Sequence, residues 1–135
     1  MYVLFVVEHV YECLIDASAA NQVSPEIVTS IISVEGGRHG ASNSNKNKTQ
    51  DLGIMQINTG AWLPLISHTF FLSDDNAAYN ALKYDDCFNI QVGVWILSYS
   101  IYLEGGSVWD GVGRYHSGTQ NLKENYVKKV KERYV

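Results

Sequence analysis

The stretch SPEIVTSIISVEGG, Ser24 to Gly37, carries its own punctuation. Ser24 is a favoured N-cap residue, Pro25 suits the first helical position, and Gly36-Gly37 is a strong stop. Between them Ile27, Val28, Ile31 and Ile32 recur at steps of three and four, which predicts a helix with one apolar stripe. Glu35 lies four positions after Ile31 and three after Ile32, so it continues that stripe. A carboxylate so placed points into a core or a cleft rather than into open water. It also falls in the last turn, where the negative end of the helix dipole disfavours a second negative charge. Desolvation and dipole both raise its pKa, as a general acid working near neutral pH requires.

A little further on, DLGIMQIN, Asp51 to Asn58, fits neither a period of 2 nor one of 3.6. Gln56 and Asn58 stand among Leu52, Ile54, Met55 and Ile57, and amides are costly to bury without partners. The segment between the two stretches, Arg38 to Gln50, is rich in Ser and Asn and reads as a surface loop or a short hairpin. Upstream, Val3, Val6, Val7, Val10, Leu14 and Ala17 predict an amphipathic first helix. Downstream, a helix is expected from about Asp86 to Leu103, with Cys87, Ile90, Val94, Leu97 and Ile101 inward and Gly105-Gly106 ending it. A short helix near SVWDGVGRYHSG follows. The last helix starts near Asn121, with Leu122, Tyr126 and Val130 inward and a lysine-rich face in solvent. The fold class is therefore mainly α, with at most one small β-hairpin in the polar middle.

Composition narrows the function. A chain of 135 residues, 46% hydrophobic and 18% charged, is ordinary globular material, and a single domain over residues 1–135 is expected. A net charge of −4 argues against nucleic acid as a partner, because phosphates need a basic patch. It is compatible with a carbohydrate, and nine tyrosines, four phenylalanines and three tryptophans supply rings for stacking. No apolar run approaches the roughly 18 residues of a membrane span. The opening MYVLFVVEHV lacks a basic leader and is interrupted by Glu8, so no export signal is expected on this chain. His9, His39, His68 and His116 fall on different segments without ligand spacing, so neither a metal nor another cofactor is expected. Cys13 and Cys87 leave two readings open, a pair of buried free thiols or one disulfide tying the first helix to a later one.

The pattern VEGG, DLGIMQIN, DDCFNIQVGVWIL and VGRYHSG, with tryptophans between, resembles the lysozyme-like lytic transglycosylase domain. The resemblance is to the single-domain kind found with type IV secretion, conjugation and pilus systems, and it runs from about Cys13 to about Tyr126. Glu35-Gly36 stands where the commonest family form has Glu-Ser, and Tyr115-His116 where other branches have an aromatic-Asn pair. The resemblance implies an α+β lysozyme-like fold with a central glycan cleft and a Cys13–Cys87 disulfide, hence an oxidising compartment. It implies that Glu35 is the one essential acid and base, and that Gln56 and Asn58 bond the N-acetyl and hydroxyl groups of the sugar. Met55 would pack beneath, Tyr115 would aim its hydroxyl at Glu35, and Asn89 and His116 would be further cleft groups. The implied partners are peptidoglycan strands and a secretion or pilus machine, for a periplasmic monomer.

Asp51 admits two roles. It caps the turn before Gly53, or it acts as in animal-type lysozymes, whose corresponding stretch is similar and opens on an aspartate serving as nucleophile or electrostatic stabiliser. Two rival functions follow. One is a muramidase that hydrolyses the glycan with Glu35 and Asp51. The other is a non-catalytic peptidoglycan-binding assembly factor, for which an intact Glu35 has no use.

Overall fold

A computed structural model describes residues 2–117 and 119–134, with side chains from residue 9 onward. Seven helices and one small sheet are present among them: α1 Tyr2–Asn21, α2 Pro25–Glu35, β1 Ser42–Ser44, β2 Gln50–Leu52, β3 Ile57–Asn58, α3 Thr59–Phe70, α4 Asp75–Tyr84, α5 Asp86–Leu103, α6 Val108–His116 and α7 Gln120–Arg133. The mainly α reading holds.

Helix α5 is the axis of the fold. Its residues Ile90, Val94 and Leu97 are fully buried, and it packs against α1, α4 and α6. Apart from Asp86 it carries no charge, so nearly every face is free to meet a neighbour. Asp85 starts it by accepting from the Phe88 N–H at 3.0 Å, which satisfies one of the donors a helix start leaves open. Cys13 of α1 and Cys87 of α5 form the disulfide, with their Cα atoms 5.4 Å apart. A crosslink over so long a loop restricts the unfolded chain by roughly 4 kcal/mol. His9 Nε2 sits 3.3 Å from the Cys87 sulfur, but the crosslink has consumed both sulfurs that a metal at this spot would need.

In α1, Leu14 and Ala17 are buried and Val10 is half-buried, as its periodicity predicts; the side chains of Val3, Val6 and Val7 lie outside the described residues. Helix α2 buries Ile27, Val28 and Ile31. Ser24 occupies its N-cap position, yet the hydroxyl donates to Glu26 Oε2 at 2.7 Å and accepts no bond from the helix backbone. Gly36 ends it in the left-handed region at φ 68°, and its N–H bonds Ile32 O at 3.0 Å. Helix α7 packs on α2 and α6. It buries Tyr126 and Val130, whereas Leu122, expected inward, is 49% exposed. The α5, α6 and α7 segments are also tied by Glu104, which lies 3.3 Å from Arg114 and 2.7 Å from Lys123.

Two features exceed the sequence reading. The sheet has three antiparallel strands in the order β1-β2-β3, because Gln56, at φ 55°, turns the chain so that Ile57–Asn58 can pair back on Asp51–Leu52. Helices α3 and α4 fill the stretch between the sheet and α5. Gly60 and the interior Pro64 disguise α3, and α4 is short and buries only Ala78 and Leu82. Asn58 and Asp74 cap them, each accepting at 3.0 Å from a backbone N–H three residues on.

Candidate active site

A cleft of about 830 Å³ runs between the sheet on one side and α2, α5 and α6 on the other. Glu35 reaches it from the last residue of α2, and Gly36 behind it turns the chain away. Its carboxyl is half-buried, and Oε2 accepts a hydrogen bond from the Tyr126 hydroxyl at 2.7 Å. Burial pushes the Glu35 pKa above the ordinary carboxylate value; the Tyr126 bond opposes that rise, and the charge of Asp51 adds to it. Tyr126 is itself 4% exposed, and burial beside Glu35 raises its own pKa far out of the working range, so it acts as a fixed neutral donor. The His116 ring lies flat on Tyr126, with centroids 4.6 Å apart and planes 4° from parallel. His116 lines the cleft, and its pKa is lowered by burial and by Lys129, against an upward pull from Asp51.

Tyr115 also lines the cleft, but its hydroxyl donates to the backbone carbonyl of Met55 at 2.7 Å. The expectation that it meets Glu35 is thereby corrected, since Tyr126 of α7 fills that role. The two tyrosines approach from different helices, and only the crossing of α6 with α7 decides which one reaches the acid. Burial, followed by the charges of Glu35 and Asp51, holds the Tyr115 hydroxyl well above its ordinary pKa.

Asn89 is corrected too. It is 1% exposed and points into the core, not the cleft. Its Oδ1 accepts from the Met55 N–H at 2.9 Å, and its Nδ2 donates to the carbonyls of Leu52 and Leu82, both at 2.8 Å. Asn89 thus holds the Leu52–Met55 turn from behind. Met55 has no exposed surface; its side chain packs against Gly93 of α5, where a Cβ would collide with it. It lies beneath the cleft floor and supports it by packing.

On the opposite wall Asp51, Gln56 and Asn58 all line the cleft. Asn58 Nδ2 donates to Asp51 Oδ1 at 3.0 Å and to Thr49 Oγ1 at 2.9 Å, while its Oδ1 caps α3. Gln56 accepts from Asn43 Nδ2 at 2.8 Å and donates to the Gly53 carbonyl at 3.0 Å. Much of the bonding capacity of these amides is therefore met within the protein, which resolves how they are tolerated among apolar neighbours. What is left over is one Gln56 N–H and one lone pair on each amide oxygen. Trp62, Tyr99, Arg114 and Thr49 also line it, and the sequence reading singled out none of them. Tyr126 carried a detectable signal: a tyrosine on the inward face of an amphipathic helix must find a partner for its hydroxyl.

A helical domain that sets one half-buried carboxyl against a small polar sheet across an open cleft is of the lysozyme-like class. Residues 12–134 match the family described as the transglycosylase SLT domain, and the chain belongs to that family. Membership gives it a peptidoglycan-cleaving function of the lytic transglycosylase type. It is similar to the invasion protein IagB of Salmonella typhimurium strains SL1344 and LT2 and of Salmonella typhi. Identity to each is 30% over 128 residues, covering 91% of this chain and 75% of the relative. Among the described residues, no helix is long and apolar enough to cross a membrane.

Proposed function

We propose that this single-domain, monomeric chain cleaves the β-1,4 bond between N-acetylmuramic acid and N-acetylglucosamine and closes a 1,6-anhydro ring on the muramic acid. Glu35, protonated, gives its proton to the glycosidic oxygen as the bond from C1 breaks. The oxocarbenium-like centre left at C1 is stabilised by the sugar's own acetamido oxygen. Glu35, now ionised, removes the proton from the C6 hydroxyl, whose oxygen bonds to C1. The carboxyl is restored and no water is consumed. An attacking hydroxyl on the same sugar has a large effective molarity, so one protein carboxylate suffices. Tyr126 positions Glu35, and the free edges of Gln56, Asn58 and His116 orient the sugar. No metal or other cofactor enters this scheme.

The observation that carries this reading is the state of Glu35: half-buried, held by one neutral donor, with its pKa raised by desolvation. The experiment is mass spectrometry of muropeptides released from purified peptidoglycan. Native protein should yield anhydro products, and Glu35→Gln should lose them by about 10²–10⁴-fold. One observation favours a second reading, hydrolysis: Asp51 lines the same cleft, and its charge is felt at Glu35. Reducing-end products from the native protein would establish it and would end the anhydro assignment. Binding to the wall with no release of either product would leave only the assembly role.

The setting we infer is local opening of the wall for a secretion or conjugation apparatus, on the periplasmic side. Support comes from the relatives, which are named invasion proteins, and from the disulfide, which persists in oxidising compartments.

A further inference from the structure

Helix α5 carries no charged side chain beyond Asp86, and much of the surface it offers to water is aromatic. Trp95 and Tyr99 are each 39% exposed and Tyr102 is 75% exposed. Spaced by four and three, they form one stripe along the helix. The Trp95 and Tyr99 rings lie 5.4 Å apart and 3° from parallel, and those of Tyr99 and Tyr102 6.4 Å apart and 19° from parallel. Trp62 of α3 meets Trp95 edge-on at 5.8 Å.

An exposed helix face is ordinarily polar or charged, and leaving a large aromatic side chain in water forgoes part of its burial. A contiguous exposed patch of this kind marks a binding surface. Its position indicates the occupant. Tyr99 and Trp62 belong both to the stripe and to the lining of the cleft, so the stripe is the shoulder of the cleft carried outward along α5. Its chemistry is matched to the uncharged faces of sugar rings. The absence of charge offers nothing to an anionic lipid surface or to a charged peptide. A β-linked N-acetylpyranose presents flat C–H faces to aromatic rings, with hydroxyls at its edge to meet phenol and indole groups.

We propose that the Trp95–Tyr99–Tyr102 stripe carries the glycan-holding surface beyond the cleft, from Tyr99 on its rim out to Trp95 and Tyr102, so that it grips a wall strand past the catalytic cleft and keeps the protein on the polymer. The proposal rests on the reading of the cleft itself as a glycan site. The test uses the full chain silenced by Glu35→Gln. Two affinities are measured: cosedimentation with insoluble peptidoglycan, and calorimetric titration with soluble N-acetylglucosamine tetramer, which fills the cleft alone. Adding Tyr102→Ala should lower the ratio of polymer to tetramer affinity about fivefold, as the loss of one aromatic contact implies. Tyr102→Trp should restore the ratio, and Tyr84→Ala, which removes an exposed ring elsewhere, should leave it unchanged. A ratio unmoved by Tyr102→Ala, with both ligands still bound, overturns the extended surface and leaves the cleft reading intact. Failure of Glu35→Gln to bind either ligand overturns the cleft reading, and this proposal with it.

Discussion

The two walls of the cleft each hold one carboxylate, and they hold it in opposite ways. On the helical wall Glu35 is half-buried among Tyr126, Tyr115 and His116, with a single hydroxyl donating to it. On the sheet wall Asp51 lies in a polar network with Asn58 and Thr49, bonded by an amide that is itself pinned at both ends. The first environment raises the cost of charge on Glu35; the second gives Asp51 an amide donor at 3.0 Å. Separation of environments is how two similar groups come to do different chemistry. Between the walls runs the Leu52–Met55 turn, and Asn89 is what keeps it in place.

The largest break in this arrangement is predicted for Asn89→Ala. It strips partners from the Met55 N–H and from the Leu52 and Leu82 carbonyls, buried groups that cost about 1–3 kcal/mol each when unmet. We expect roughly 3 kcal/mol of lost stability, seen as a fall in Tm of about 10 °C by circular dichroism. Turnover by the folded fraction should keep its KM. A native Tm combined with a raised KM would return Asn89 to the cleft.

Tyr126→Phe and Asp51→Asn act on Glu35 from the two walls, and with opposite sign. Removing the Tyr126 hydroxyl withdraws a bond that favours the ionised carboxylate, so the basic limb of the pH–rate profile should move upward. The lost hydrogen bond to a charged group should lower kcat by about tenfold. Removing the Asp51 charge relieves repulsion, so the same limb should move downward, with the rate falling by less than about tenfold. Shifts in the same direction would mean that the walls are not electrically distinct. A collapse of activity in Asp51→Asn would make Asp51 a direct participant and favour hydrolysis.

What the chain disclosed in advance follows the same divide between local and non-local information. Helix α2 and the placement of Glu35 on its inner face were legible because Pro25, the isoleucine spacing and Gly36 all act within a few residues. The bounds of α5 were legible for the same reason. Helix α3 was hidden by Gly60 and Pro64, which packing overrides. Asn89 was misplaced because α5 is apolar nearly all round, so periodicity cannot say which way an amide on it points. The choice between Tyr115 and Tyr126 needs the α6–α7 crossing, a property of no short segment.

The smallest effect, and the one that isolates the helical wall, is the pH dependence of stability in Glu35→Gln. The native carboxyl has a pKa of about 4.5 when unfolded and a higher one when folded. Between those two values the folded protein binds a proton that the unfolded chain has released. Native stability therefore falls as pH rises through that window and stays lowered above it. Glutamine has no proton to lose, and its carbonyl still accepts from Tyr126. The Tm of Glu35→Gln relative to native should thus be near zero at pH values below both pKa values and should turn positive by neutral pH. A relative Tm that becomes negative as pH rises would mean that the folded protein welcomes the Glu35 charge. The wall would then hold an anion where the proposed chemistry needs an acid, and the two carboxylates would no longer differ in kind.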